Sequence, residues 1–179
     1  MKCYITSIGE PTTDLCIFSV ERQGFEAVLV QDKTSFNAKL EFIYNDADDD
    51  FLRIDADVIM NHNVHRFIAS CPPEIWWLQS MSFDWWQMDT CWGGVQYIKK
   101  KCLPALRANI SKVQHLDRPE SLMYRLPEFH EPRRCEGAEI VCGLHGYGQN
   151  DMQRVIDLKT KRKQIDSYDF KLAQRASEL

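Results

Sequence analysis

The first 60 residues alternate between short runs of β-branched and aromatic residues and amphipathic stretches, an order that few architectures can accept. Lys2 to Ile8 reads as a strand stopped by Gly9. Pro11-Thr12-Thr13-Asp14 supplies helix-start chemistry ahead of Leu15 to Val20, and Gly24 ends that helix. Phe25 to Val30 is a second strand. Ser35 to about Asn45 is a second helix, with Phe36, Leu40 and Ile43 or Tyr44 along one side. Phe51 to Met60 is a third strand. This order predicts an α/β fold, a single Rossmann-like domain with a mostly parallel central sheet flanked by helices. Ligands of such sheets bind outside the carboxyl ends of the strands. Thr6, Ser7, Ile8, Asp32 and the segment Asp55-Ala56-Asp57 all fall at those ends, so one cleft is expected to gather them.

The third strand carries two carboxylates in an otherwise apolar run. Alternate side chains of an extended strand share a face, so Asp55 and Asp57 are expected to point together, with Ala56 turned away. Carboxylates on a buried strand need positive charge nearby. Two readings meet that need: the acids cap the strand end and pair with Lys and Arg, or they hold a hard divalent cation together with phosphate oxygens.

A length of 179 residues suits one domain with a sizeable core. At 44% hydrophobic and 27% charged residues the composition is that of a globular protein. The net charge of -4 argues against a protein that coats nucleic acid. Seven cysteines, an odd number with no Cys-X-X-Cys pair, and no charged-then-apolar opening segment fit reduced thiols and a cytoplasmic location. No apolar run is long enough to cross a bilayer, so an integral membrane protein is not expected.

Beyond Met60 the pattern predicts a short helix from Asn63 to Ser70, a break at Pro72-Pro73, and a strand from Glu74 to Gln79. A helix is expected from Gly94 or Val95 through Tyr97, Ile98 and Leu103, disturbed at Pro104. Pro119-Glu120 opens another, which Pro127 closes. Glu139 to Cys142 is a last strand, followed by a glycine-rich turn, Gly143 to Gly148, around His145 and a helical, basic tail from Asn150. Trp76, Trp77, Trp85, Trp86 and Trp92 are too dense a cluster to be buried together easily, and one or two are expected to line a binding site.

Taken together, these pieces resemble nucleotide-sugar-dependent glycosyltransferases of the GT-A type, most closely the glycogenin and bacterial galactosyltransferase-like group. Asp55-Ala56-Asp57 is similar to their Asp-X-Asp motif. Asn37-Ala38-Lys39-Leu40 is similar to the segment whose basic side chain approaches the donor. Cys91-Trp92-Gly93-Gly94-Val95 resembles the small-residue turn lining the donor sugar, and Leu144-His145-Gly146-Tyr147-Gly148 the late histidine segment that returns a metal ligand. The Lys-Pro-Trp sequence that commonly follows this histidine is absent, and Gln149-Asn150-Asp151 stands in its place.

The resemblance implies a metal-dependent hexosyl transfer from a nucleoside diphosphate sugar, a UDP-sugar foremost, to a hydroxyl of a glycan, lipid, protein or modified nucleic acid. Asp55, Asp57 and His145 would be the ligands of manganese (Mn2+) or magnesium (Mg2+). Thr6, Ser7, Ile8, Asp32, Lys39, Asp55, Ala56, Gly93 and Gly94 would bind the sugar nucleotide. Glu120 would be the base for inversion, while in a retaining enzyme Glu120 or Asp89 would stabilise charge at the anomeric carbon. Residues 1–149 would be the catalytic part and residues 150–179 a tail of the same domain. Within that tail Lys159-Thr160-Lys161-Arg162-Lys163 offers a weak contact to an anionic surface.

On the residues alone, His145 also suits a surface loop, Lys39 a solvated helix position, Gly93-Gly94 a plain turn and Asp32 a turn cap. Two rival functions share the fold: a nucleotidyltransferase, and a sugar-nucleotide-binding module without turnover. Asp46, Asp48 and Asp50 alternate as in a calcium loop, but Phe51 stands where that loop needs glycine.

Overall fold

Apolar side chains on alternate positions of the strands bury themselves on both faces of one sheet. The computed structural model describes residues 1–31, 35–113, 126–130 and 134–148. In chain order the elements are β1 (Lys2–Thr6), α1 (Thr13–Arg22), β2 (Glu26–Val30), α2 (Phe36–Asp46), β3 (Phe51–Asp55), β4 (Val58–Met60) and α3 (Asn63–Ala69). They continue with β5 (Trp77–Asp84), β6 (Asp89–Ile98), α4 (Leu103–Asn109), α5 (Pro127–His130) and β7 (Cys135–His145). Ser35 caps α2 by accepting a hydrogen bond from the Ala38 amide at 3.1 Å, and Gly24 leaves α1 at φ 80°.

The seven strands form one sheet in the order β2-β1-β3-β6-β5-β7-β4. The expected α/β class holds, and the sheet is mixed. Pairings β1/β2, β1/β3 and β5/β7 are parallel, whereas β3/β6, β5/β6 and β4/β7 are antiparallel. Parallel character is thus confined to the βαβαβ half and to one later pair, because β5 and β6 are joined by a tight hairpin instead of a crossover helix.

One consequence of this order decides where the acidic segment lies. β3 and β4 are separated by Ala56 and Asp57 alone, yet four strand spacings part them in the sheet. In a flat sheet that is roughly 19 Å. Three Cα steps from Asp55 to Val58 reach at most about 11 Å. The sheet must therefore curl until its β4 edge returns to the carboxyl end of β3. Ala56 is fixed at the junction, its amide donating to Thr6 O at 2.9 Å and its carbonyl accepting from Thr12 Oγ1 at 2.9 Å.

One buried cluster, with Tyr4, Leu40, Ile43, Phe51, Ile98, Leu106 and Phe129, packs α2, α4 and α5 on one face. The other, with Ile5, Val20, Leu52, Ile54, Val64 and Phe67, packs α1 and α3 on the opposite face. Asp46 accepts from Lys2 Nζ (2.9 Å) and Tyr4 OH (2.7 Å), and Asp50 from Tyr97 OH (2.6 Å) and the Lys100 amide (2.8 Å). The acidic run therefore pins the α2–β3 connection to its neighbours.

Several expectations differ from the structure: the third strand, expected from Phe51 to Met60, ends at Asp55, and Val58–Met60 is a separate strand at the far edge of the sheet. The helix expected from Gly94 is the second half of strand β6, and the helix begins only at Leu103, with Pro104 in its first turn. The strand expected to end at Gln79 runs to Asp84, and the last strand runs from Cys135 to His145, so His145 is a strand residue. Pro127 opens α5; the helix expected ahead of it lies outside the described residues, as do Asp32, Glu120 and the tail. All seven cysteines are free thiols. Among the described residues no helix is long and apolar enough to cross a membrane.

Candidate active site

The strand ends meet where the sheet closes. β3 stops at Asp55 and the chain turns through Ala56 and Asp57, so the two acids do not alternate along one strand as expected. Asp55 lies opposite Thr6 in the β1/β3 register. Its Oδ1 accepts from Thr6 Oγ1 at 2.5 Å and from Arg53 NH2 at 2.7 Å, while its side chain stays 46% exposed. Arg53 is buried over the Phe36 ring and also donates to Gln96 Oε1 at 2.9 Å. Asp55 is thus paired with a buried arginine while keeping an exposed edge.

Asp57 has a different neighbour. Its Oδ2 lies 3.3 Å from His145 Nε2, and the other ring nitrogen, Nδ1, lies 3.0 Å from Asp84 Oδ2. Register explains the arrangement: His145 pairs with Val58 on one side and with Asp84 on the other. The Gly146 amide donates to Asp57 O and the Trp85 amide to His145 O, both at 2.9 Å, which locks the three strand ends together. Asp84 is 1% exposed. Its Oδ1 accepts from the Trp86 and Gln87 amides at 2.9 Å each and so builds the β5–β6 turn. Burial alone would lower the His145 pKa, but hydrogen bonds and charge from Asp57 and Asp84 outweigh it and raise it to about 10. The two acids thus favour the protonated ring.

A divalent cation suits this place. Neighbouring oxygen and nitrogen ligands on an ion with bonds near 2.1 Å stand about 3 Å apart, close to the 3.3 Å between Asp57 Oδ2 and His145 Nε2. Asp84 would hold the second ring proton on Nδ1, the outer carboxylate that metal-binding histidines commonly use. Asp55 stands apart. Among the described residues, Asp55, Asp57 and His145 form no group with donor atoms within 4.8 Å of one another, whereas Asp84, Cys91 and His145 do.

The remaining expected residues surround this centre unequally. Thr6 and Ser7 are buried at the end of β1, and Ile8 is 61% exposed. The loop after β1 is closed on itself: Glu10 Oε2 accepts from Ser7 Oγ (2.6 Å) and from the Ile8 amide (2.7 Å). Lys39 is buried beneath this loop, donating to Ser7 O, and burial lowers its pKa against the pull of Glu10 and Asp55. Gly94 lies inside β6, where a Cβ would come within 2.7 Å of Met81 O at the bulge of β5. Its absent side chain serves the sheet. Gly93 has φ 122° and open space around its missing Cβ. Asp89 is exposed at the start of β6, opposite Asp84 in the register. Trp77 is core, and Trp85 and Trp92 are exposed. Sequence reasoning missed Asp84, whose signal was the stripe Ser80, Ser82, Asp84 at two-residue spacing on the buried side of β5.

Comparison with solved structures completes the picture. A glycosyltransferase involved in the glycosylation of the major capsid of PBCV-1 superposes with a TM-score of 0.58 at 14% identity, over 80% of this chain and 92% of that one. The chain has a GT-A-like fold. The same GT-A-like architecture matches 4-diphosphocytidyl-2C-methyl-D-erythritol synthase from Anaerococcus prevotii (TM-score 0.56, 9% identity, 78% and 86% covered). It also matches CMP:2-keto-3-deoxy-manno-octonic acid synthetase complexed with CTP (TM-score 0.51, 10% identity, 90% and 98% covered). No protein-family model and no curated protein matches the chain.

Proposed function

We propose that the protein transfers a sugar from a nucleoside diphosphate sugar to a hydroxyl acceptor, with a divalent ion at Asp57 and His145. The observation that carries this reading is the carboxylate–imidazole pair at 3.3 Å, backed by Asp84 and lying at the carboxyl ends of the sheet. A bound manganese or magnesium ion would neutralise the diphosphate as the bond to the sugar breaks. Asp57 Oδ2 and His145 Nε2 would hold it, and Asp84 would keep the imidazole proton on Nδ1 so that the Nε2 lone pair faces the site. Asp55, oriented by Arg53 and Thr6, offers its free edge to donor hydroxyls. Gly93 leaves backbone open to the sugar. Lys39 supports this site by holding the Ser7 carbonyl.

Glu10 bears on the rival chemistry. A nucleotidyltransferase needs the loop after its first strand to take a nucleoside triphosphate, and here that loop's donors are turned to Glu10. This favours sugar transfer. The test is incubation with a panel of nucleotide sugars and manganese, following free nucleoside diphosphate. Slow release without acceptor is expected. Release of pyrophosphate from a nucleoside triphosphate and a sugar phosphate, with no diphosphate from any sugar nucleotide, would assign nucleotidyl transfer; tight binding without release would assign a binding module.

A further inference from the structure

The histidine of this site has a second ring face, and the groups on it are chemically unlike Asp57. A carboxylate oxygen of Asp84, the Cys91 thiol and a ring nitrogen of His145 lie within 4.8 Å of one another. The strand register produces this cluster. His145 is directly across from Asp84 in the β5/β7 pairing, and Cys91 is directly across from Ser82 in the β5/β6 pairing, one alternation from Asp84. Cross-strand partners and residues two apart share a face, so three adjacent strands deliver an oxygen, a sulfur and a nitrogen donor to one spot. We propose that Asp84, Cys91 and His145 bind a thiophilic divalent ion of the zinc class, on the Nδ1 side of the ring and distinct from the Asp57–Nε2 pair.

Three features support the assignment. The donor set is mixed O, S and N, which suits zinc, whereas manganese and magnesium favour oxygen. The ligands are held before any ion arrives: Asp84 is fixed through Oδ1 by the Trp86 and Gln87 amides, and Cys91 Sγ lies 3.5 Å from Ser82 Oγ. Ligand atoms around a tetrahedral zinc ion stand roughly 3.3 to 3.8 Å apart, so closing from 4.8 Å takes movements of about 1 Å. Cys91 and His145 are each half-buried, leaving the fourth position to solvent. Five of the other cysteines are buried, so Cys91 shares its accessibility only with Cys71.

An ion on Nδ1 leaves the ring proton on Nε2, where it donates to Asp57 Oδ2. Nε2 then has no lone pair for a second ion, and the two metals exclude one another. The exclusion, unlike the binding itself, rests on the sugar-transfer reading.

The test uses cobalt(II) as a spectroscopic stand-in for zinc, added to the full chain without nucleotide. One equivalent is expected to bind with a thiolate-to-cobalt charge-transfer band that zinc abolishes. Cys91→Ser should lose the band and weaken zinc binding by at least about tenfold, and Cys71→Ser should keep both. Absence of the band in the wild type, or its survival in Cys91→Ser, overturns the site. A second arm adds zinc to manganese-dependent diphosphate release: inhibition of the wild type but not of Cys91→Ser supports the exclusion, and equal sensitivity overturns it. If no sugar nucleotide is turned over, the sugar-transfer reading fails while the cobalt result still decides the zinc site.

Discussion

Asp57 and Asp84 raise the pKa of the His145 ring between them, and this sets how the metal-free protein should respond to pH. The folded pKa, raised to about 10, lies above the unfolded imidazole value of about 6.5. The stability it contributes is fully present below the unfolded value and is lost as pH rises through the folded one. Urea midpoints of the metal-free protein should therefore fall between about pH 6.5 and pH 10, and His145→Gln should flatten that slope. An unchanged slope would place the proton elsewhere. The two acids of the Asp-X-Asp segment should also separate. Asp57→Ala is expected to abolish metal-dependent turnover with the far-ultraviolet spectrum intact, whereas Asp55→Asn should raise KM for the donor and leave manganese affinity within about threefold. Asp84→Asn should weaken manganese binding by roughly 10- to 100-fold through loss of the ring orientation. His145 was singled out by the resemblance of its segment to a late metal-ligand motif, since on position alone it suits a surface loop. Asp84 was not, since a buried Ser-X-Ser-X-Asp stripe carries no hydrophobic alternation.

Strands β5 and β6 show what periodicity reads and what it misses. The βαβαβ half followed its pattern up to Asp55, with Ser35 and Gly24 marking helix ends as expected, but the strand expected to run on to Met60 breaks there into β3 and β4. The hairpin was hidden because its turn, Trp85 to Met88, contains no glycine, and Asp84 and a positive φ at Met88 (51°) supply the geometry. Gly93-Gly94 suggested a helix start, but Gly94 is required by the β5 bulge, whose Ser80 Oγ accepts from the Val95 amide at 2.7 Å. Gly94→Ala should destabilise the protein by about 1–3 kcal/mol, read from urea midpoints, and should broaden exchange of the Val95 amide. A neutral result would show that the bulge yields. The Trp92 ring lies over Gly137, where an added Cβ would meet it at 2.6 Å, so the β7 glycine that blurred that strand in the sequence is filled from the neighbouring hairpin.

At the scale of the molecule, two apolar layers hold one curled sheet between them. Leu106 and Phe67 are fully buried in opposite layers. Leu106→Ala should cost about 2–5 kcal/mol and Phe67→Ala about 3–5 kcal/mol, and the two should add to within about 0.5 kcal/mol. A large departure from additivity in denaturant titrations would mean that the layers communicate through the sheet. The α/β class was legible from the first 60 residues; the mixed pairing was not, because strand direction depends on a hairpin that the sequence concealed. The curl was equally hidden, since it follows from which strands become neighbours. Yet the link that forces it, Ala56 and Asp57 alone between β3 and β4, also keeps Asp55 and Asp57 one residue apart. A glycine inserted after Ala56 would give the link slack and let the β4 edge drift from the end of β3, pulling Asp57 and His145 away from Asp55 without removing any of the three. In this molecule the brevity of that link sets the shape of the sheet, and it is as open to selection as the charges it joins.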